Sequence, residues 1–172
     1  EMKLAPASIL PGEKTCRYQP SVKIPEPFAR NIFKKEDVTN LSESSKKYVL
    51  SIVENSNYGF FVPYEPNKNT IQYGENGGAQ WTGASVDPYK NIMYVTASNI
   101  PWIVGVQASQ NQYGGKLKYT DKKPIPLRDL DGYPGVKPPW GTLTAINLNT
   151  GKILWQSYLG YYESLKSKGI IT

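Results

Sequence analysis

Apolar and polar positions alternate in two parts of the second half of the chain, and this alternation predicts β-hairpins. The run Gly83–Thr96 contains a strand that ends at Val86, a turn over 87–91 and a return strand. The run Gly141–Trp155 has the same plan, with Gly151 in its turn, where glycine adopts a positive φ without steric cost. The two hairpins are similar and are linked by a long polar stretch. This similarity suggests repeated units in which each hairpin pair forms its own sheet.

A helical spacing occurs nearer the N-terminus. Four apolar residues recur at i, i+1, i+4 and i+5 and form a stripe: Tyr48, Val49, Ile52 and Val53. Ser42 precedes this stripe and can cap a helix, with Glu43 in the first turn, where the helix dipole favours negative charge. The sequence therefore predicts a helix within Ser42–Glu54. Prolines are too closely spaced between positions 5 and 30 for a helix, so an extended segment lying across another surface is predicted there.

These patterns divide the chain into two regions. Residues 1–58 are predicted to form an extended, proline-rich lead-in with a short helix, and residues 59–172 to form strands, with a loop excursion at 107–137. The predicted fold class is all-β: a partial β-propeller of about two blades of antiparallel strands, with a short N-terminal helical segment and long loops. In this fold we expect Trp155 to be largely buried, with its indole N–H bonded to a neighbouring sheet.

Composition excludes several chemistries. The net charge is +6, but the lysines are scattered without a nucleic-acid-binding signature, so no nucleic-acid partner is predicted. Cys16 is the only cysteine and histidine is absent, which excludes an internal disulfide, His-dependent zinc sites and Ser-His or Cys-His catalysis within this chain. No apolar run approaches the roughly 20 residues of a membrane span. Position 1 is Glu rather than Met and no signal-peptide pattern follows, so we expect a chain that begins within a longer protein.

Several quoted segments carry a family resemblance. GGAQWTGASVDP, ASNIPWI and DGYPGVKPPWGTLTAINLNTGKILWQSYLG resemble the C-terminal propeller portion of the quinoprotein (PQQ-dependent) glucose dehydrogenase family. AINLNTGKILW is similar to the family's tryptophan-docking motif, AxDxxTGxxxW, with Asn147 at the Asp position. The resemblance covers about residues 6–172. It implies PQQ and Ca²⁺ as cofactors of the full-length enzyme, a sugar or alcohol substrate, and a periplasmic or exported location.

The resemblance also implies cofactor-binding positions. These are Gln80, Trp81, Thr96, Ser98 and Trp140. Relatives often carry amide side chains at the Thr96 and Ser98 positions, and packing is the alternative role for both tryptophans. The family's catalytic Asp comes from earlier blades and has no counterpart here, because Asp87 belongs to a turn motif. No catalytic and no metal-binding residue is therefore assigned.

Three interpretations follow. The chain can be a fragment of a PQQ-dependent dehydrogenase, inactive and without bound cofactor when isolated, which the remaining blades or a second chain would complete. It can instead be a non-catalytic, propeller-derived binding or scaffold module. An unrelated strand-rich protein is the third interpretation, which the long PPWGTLTAI match disfavours. The first two differ in whether the complete gene encodes the catalytic Asp and cationic PQQ ligands.

Overall fold

The computed structural model of the protein describes residues 1–75, 78–79, 83–109 and 119–172. The helices are α1 (Glu43–Glu54) and α2 (Glu163–Lys166), and a 3₁₀ turn covers Lys35–Asp37. The strands are β1 (Met2–Leu4), β2 (Tyr18–Pro20), β3 (Ser56–Tyr58), β4 (Asn69–Gln72), β5 (Ser85–Asp87), β6 (Ile92–Ser98), β7 (Trp102–Val104), β8 (Val106–Ala108), β9 (Tyr119–Asp121), β10 (Ile125–Pro126), β11 (Gly141–Asn147) and β12 (Ile153–Tyr158).

Two four-stranded sheets form the centre of the fold. Their strand orders are β10-β7-β4-β3 and β12-β11-β6-β5. The first sheet is mixed, because β3 and β4 are parallel. The second is antiparallel throughout. Two sheets of this size, with short helices and long connections, confirm the predicted fold class of a partial propeller.

Both predicted hairpins are present, and together they form one four-stranded sheet. β5 pairs with β6 and β11 pairs with β12, as expected. β6 and β11 then pair with each other over seven residue pairs, from Gly141 opposite Ser98 to Asn147 opposite Ile92. A hairpin on its own leaves the backbone groups of both strand edges unpaired, and joining two hairpins satisfies the inner edges. Alternation along a strand does not specify which other strand pairs with it.

Helix α1 forms where the sequence predicts it. The Ser42 hydroxyl accepts a hydrogen bond from the Ser45 backbone N–H at 3.1 Å, so Ser42 is the N-cap. Val49 and Val53 of the predicted stripe are fully buried. The helix therefore contributes its apolar face to the main core of the protein.

The main core lies between α1, the mixed sheet and the loop 127–136. Its buried members are Phe33, Val38, Val49, Val53, Ile71, Tyr73, Leu127, Val136, Trp140 and Leu165. The range 107–137, predicted as an irregular excursion, includes the short strands β9 and β10 before this loop. Leu127 and Val136, at the two ends of the loop, are completely buried. The second part of the excursion is thus a packed element of the core.

Trp155 is placed differently from the prediction. It lies opposite Ala145 in the β11–β12 register, as expected. However, Trp155 is 45% exposed, and its ring lies 6.0 Å from that of Tyr94. The expectation of a largely buried indole is therefore wrong for this chain. The reason is its position on β12, an outer strand of its sheet whose side chains are mostly exposed.

Part of the proline-rich lead-in contacts the outer hairpin of the second sheet. Ile24 contacts Gly151 in the β11–β12 turn so closely that a Cβ at Gly151 would meet its methyl group. The Gln156 side-chain amide on β12 donates to the Phe28 carbonyl at 2.9 Å. The segment around 24–30 is thus fixed against the hairpin and leads directly to the 3₁₀ turn at 35–37.

Candidate functional site

A cavity of about 480 Å³ lies where β6 ends, β11 begins and β12 ends. It is lined by Thr96, Ala97, Ser98, Ile100, Trp140, Gly141, Leu159, Gly160, Tyr161, Tyr162 and Thr172. Three of the five predicted cofactor-binding residues, Thr96, Ser98 and Trp140, thus line the same space. The other two, Gln80 and Trp81, lie outside the described residues.

Hydroxyl groups form one wall of this cavity. Thr96 and Ser98 are two residues apart on β6, so their side chains leave the same face of the sheet. Both are half-buried, which leaves part of each side chain open to the cavity. Each hydroxyl can donate one hydrogen bond and accept others. This wall can therefore bind carbonyl, carboxylate or hydroxyl oxygens of a ligand.

Trp140 forms an aromatic wall and is held rigidly. Only 5% of it is exposed, and its indole N–H donates to the Val136 carbonyl at 2.8 Å. Tyr133 lies nearly parallel to it, with ring centroids 6.1 Å apart and an interplanar angle of 15°. Tyr162 meets the indole edge-on at 5.2 Å and 88°. Trp140 can therefore both pack in the core and contact a ligand, because most of its ring is buried while one part reaches the cavity.

The loop behind Trp140 is organised by a buried carboxylate. Asp129 accepts hydrogen bonds from the backbone N–H groups of Asp131 at 3.0 Å and Tyr133 at 2.9 Å. Burial raises the pKa of the Asp129 carboxyl above its usual value, against the lowering effect of these hydrogen bonds. The Tyr133 hydroxyl is bonded to the Ser164 hydroxyl at 2.6 Å. Asp129 and Ser164 therefore fix the tyrosine that packs on Trp140.

Among the described residues that line the cavity, tyrosine is the only type with an ionisable side chain. The Lys166 ammonium lies 4.2 Å from the ring centroid of Tyr161, a lining residue. Over the described ranges, no group of three or more His, Cys, Asp or Glu side chains could hold a metal ion. In those same ranges, no helix is long and apolar enough to cross a membrane. Aromatic faces and hydroxyl groups therefore define the chemistry of this wall.

Sequence reasoning missed the residues after β12. Leu159, Gly160, Tyr161 and Tyr162 all line the cavity. The register of the β11–β12 hairpin could have indicated these residues. Because β12 runs antiparallel to β11, the residues that follow β12 lie next to Gly141, where β11 begins. The Leu159 N–H does donate to the Gly141 carbonyl at 2.9 Å.

Comparison with known proteins defines the class of protein. A family model described as "PQQ: Glucose/ethanol/alcohol dehydrogenase, beta-propeller domain" matches residues 1–171. The chain therefore belongs to the family of PQQ-dependent dehydrogenase β-propellers, in agreement with the resemblance of its sequence segments and with its two four-stranded sheets.

Three similar proteins carry more specific names than the family model. A quinate/shikimate dehydrogenase (quinone) of Acinetobacter baylyi is 24% identical over 94% of this chain and 22% of its own length. A probable quinate dehydrogenase (quinone) of Xanthomonas campestris pv. juglandis is 28% identical over 56% of the chain and 14% of its length. A quinoprotein glucose dehydrogenase of Escherichia coli K12 is 24% identical over 59% of the chain and 15% of its length. The chain thus spans about a fifth of the length of the first of these relatives.

Proposed function

We propose that this chain is part of a PQQ-dependent dehydrogenase that oxidises a sugar or alcohol by hydride transfer to the quinone, and that its cavity forms one wall of the cofactor site. The observation that carries the proposal is the convergence of Thr96, Ser98 and Trp140 on one cavity, in a chain that belongs to this family. The relatives act, by name, on quinate, shikimate or glucose, which are polyhydroxylated ring compounds. A small polyhydroxylated substrate is proposed for this protein accordingly.

The cavity wall fits part of the cofactor. PQQ is a planar tricarboxylate, so it requires flat apolar faces and cationic or amide groups around its rim. Trp140 offers a flat face, and Thr96 and Ser98 offer hydroxyl donors to ring oxygens. Within the described part of the lining, no side chain is a cation that could balance three carboxylates. PQQ, when bound, supplies the two-electron acceptor, and the residues of this chain would orient its ring rather than neutralise its charge.

The lining side chains that the structure describes also lack a carboxylate, so these residues do not fit Ca²⁺ or a general base. In our proposal these groups come from other parts of a complete propeller, contributed by the remaining blades or by a second chain. The isolated chain is accordingly proposed to be a C-terminal propeller fragment without dehydrogenase activity. The complete protein is proposed to act in the periplasm or outside the cell, as the resemblance to the family implies.

A non-catalytic binding or scaffold module is the second candidate. Exposed aromatic residues support it, because Trp155, Tyr158 and Tyr161 are 45%, 50% and 63% exposed and aromatic side chains are enriched at interfaces.

The deciding experiment is reduction of an artificial electron acceptor by the product of the complete reading frame, with quinate and with glucose, before and after addition of PQQ and Ca²⁺. Acceptor reduction that requires PQQ supports the dehydrogenase. Its absence with every substrate, although PQQ is bound, supports the scaffold.

We expect the 172-residue chain alone to bind PQQ weakly or not at all. The physical reason is that the described side chains lining the cavity include no cation, so a tricarboxylate would lose its hydration there without a compensating positive charge. Titration followed by PQQ absorbance or by calorimetry measures this directly. Micromolar binding with a defined stoichiometry would contradict it and would show that this chain itself holds the rim ligands.

A further inference from the structure

Four successive backbone carbonyls beside the cavity accept hydrogen bonds from only two residues. The Arg30 guanidinium donates to the carbonyls of Lys137 at 2.7 Å and Pro138 at 3.2 Å. The Asn99 side-chain amide donates to the Pro139 carbonyl at 3.1 Å, and the Asn99 backbone N–H donates to the Trp140 carbonyl at 2.8 Å. The four carbonyls of the run 137–140 are therefore bonded by two residues distant in sequence, and the Lys137 N–H donates separately to the Asp37 carbonyl at 2.8 Å.

The composition of this run explains why it needs external donors. Pro138 and Pro139 have no N–H group, so neither can donate to a strand ladder or to a turn. Between Pro138 and Trp140 the run can be fixed by hydrogen bonds mainly through its carbonyls, and a carbonyl removed from water without a partner is costly. Arginine suits this task because its planar guanidinium presents several donors in a fixed geometry and remains charged.

Arg30 and Asn99 are also bonded to each other. Asn99 is 3% exposed, and its side-chain oxygen accepts the Arg30 backbone N–H at 2.8 Å. Asn99 therefore uses its amide oxygen, amide nitrogen and backbone N–H at once. It directly follows Ser98, so the same residue connects the hydroxyl wall on β6 to the aromatic wall at Trp140.

We propose that Asn99 and Arg30 are positioning residues that hold Pro138–Trp140 in place, and so fix the indole of Trp140 relative to Thr96 and Ser98 in the cavity. Neither residue lines the cavity among the described residues, so both act through the run that they hold. The importance of this arrangement for a ligand rests on the function proposed above. The arrangement itself can be tested without any ligand.

The test is nuclear magnetic resonance of the tryptophan indole N–H signals in the 172-residue chain, with the Trp140 signal assigned from a Trp140→Phe variant. Arg30→Met keeps the length of the side chain but removes its donors, and Asn99→Asp keeps the shape but removes the donor to Pro139. We expect either change to shift the Trp140 signal and to accelerate its hydrogen exchange about tenfold, since local opening becomes easier. Arg30→Lys should give an intermediate result, because an ammonium group can still reach one carbonyl.

Arg17→Met is the matched control, because Arg17 is exposed and its guanidinium lies over the ring of Tyr18, whereas the carbonyls of the run 137–140 accept from Arg30 and Asn99. It should leave the Trp140 signal unchanged, while the Trp102 signal should stay in place in every variant. Unchanged position and exchange of the Trp140 signal in folded Arg30→Met would overturn the proposal, and this variant decides the question if Asn99→Asp does not fold. A moved Trp140 signal, together with failure of PQQ to bind the complete protein, would support the positioning role and refute only the proposed cofactor.

Discussion

Replacing Trp140 with Ala is expected to lower the free energy of unfolding by about 3–5 kcal/mol, the usual cost of removing a buried aromatic side chain. The indole is 5% exposed and belongs to the main core, together with Leu127 and Val136. The change removes its hydrogen bond to the Val136 carbonyl and leaves that buried acceptor unpaired. It also removes the stacked partner of Tyr133. A loss of this size is a large fraction of the stability of an ordinary domain, and urea unfolding measures it.

Alanine substitutions of two other aromatic residues serve as controls for the Trp140→Ala effect. Tyr89→Ala should change the free energy of unfolding by no more than about 0.5 kcal/mol, because Tyr89 is 97% exposed in the β5–β6 turn. Trp155→Ala should lower the free energy of unfolding by an amount between those of Trp140→Ala and Tyr89→Ala, because Trp155 is 45% exposed on an outer strand. A loss for Trp140→Ala as small as that for Tyr89→Ala would contradict the assignment of Trp140 to a packed wall.

Replacing Gly141 with Ala is expected to cost about 1–3 kcal/mol, the range for inserting a group into a packed position. A Cβ at Gly141 would meet the carbonyl oxygen and carbon of Leu159, which are backbone atoms and cannot rotate away. The same residue pair forms a backbone hydrogen bond at 2.9 Å. The start of β11 and the end of β12 must therefore separate, and the cavity between them must change shape.

Gly78→Ala is the matched control for this change. Its φ is not in the left-handed region, and an added Cβ would lie 3.8 Å from the Ala29 methyl, an ordinary contact distance. Urea unfolding of the two variants compares them directly. Equal stability of Gly141→Ala and Gly78→Ala would show that the two strand ends are not closely packed at the cavity.

Local features of the fold could be predicted from the sequence because they depend on neighbouring residues. The Ser42 cap, the stripe of Val49 and Val53, and the turn at Gly151 each follow from spacing within a few positions. The pairing of β6 with β11 could not be predicted in this way. It joins residues that are 43 to 55 positions apart, and the same alternation fits many partners.

The candidate site, too, could be predicted only in part from the sequence. Thr96, Ser98 and Trp140 were identified through segments that resemble a known family, and the structure brings them to one cavity. Tyr161 and Tyr162 follow β12 without a distinctive pattern of their own, so only the strand register reveals their position. The hydrogen bond between Arg30 and the Pro138 carbonyl spans 108 positions, and neither residue type indicates the other. The exposure of Trp155 depends on the packing around β12 rather than on its motif.

The central claim is that the cavity between β6 and Trp140 contacts PQQ. Its most direct test is the PQQ dissociation constant of the complete gene product, measured by titration for the parent protein, for the double variant Thr96→Val with Ser98→Ala, and for Ser157→Ala on the exposed strand β12 as the control. Loss of two hydroxyl hydrogen bonds, each worth about 1 kcal/mol, predicts a dissociation constant raised by roughly tenfold or more in the double variant and unchanged in the control. Equal affinity of all three proteins for PQQ would contradict the claim.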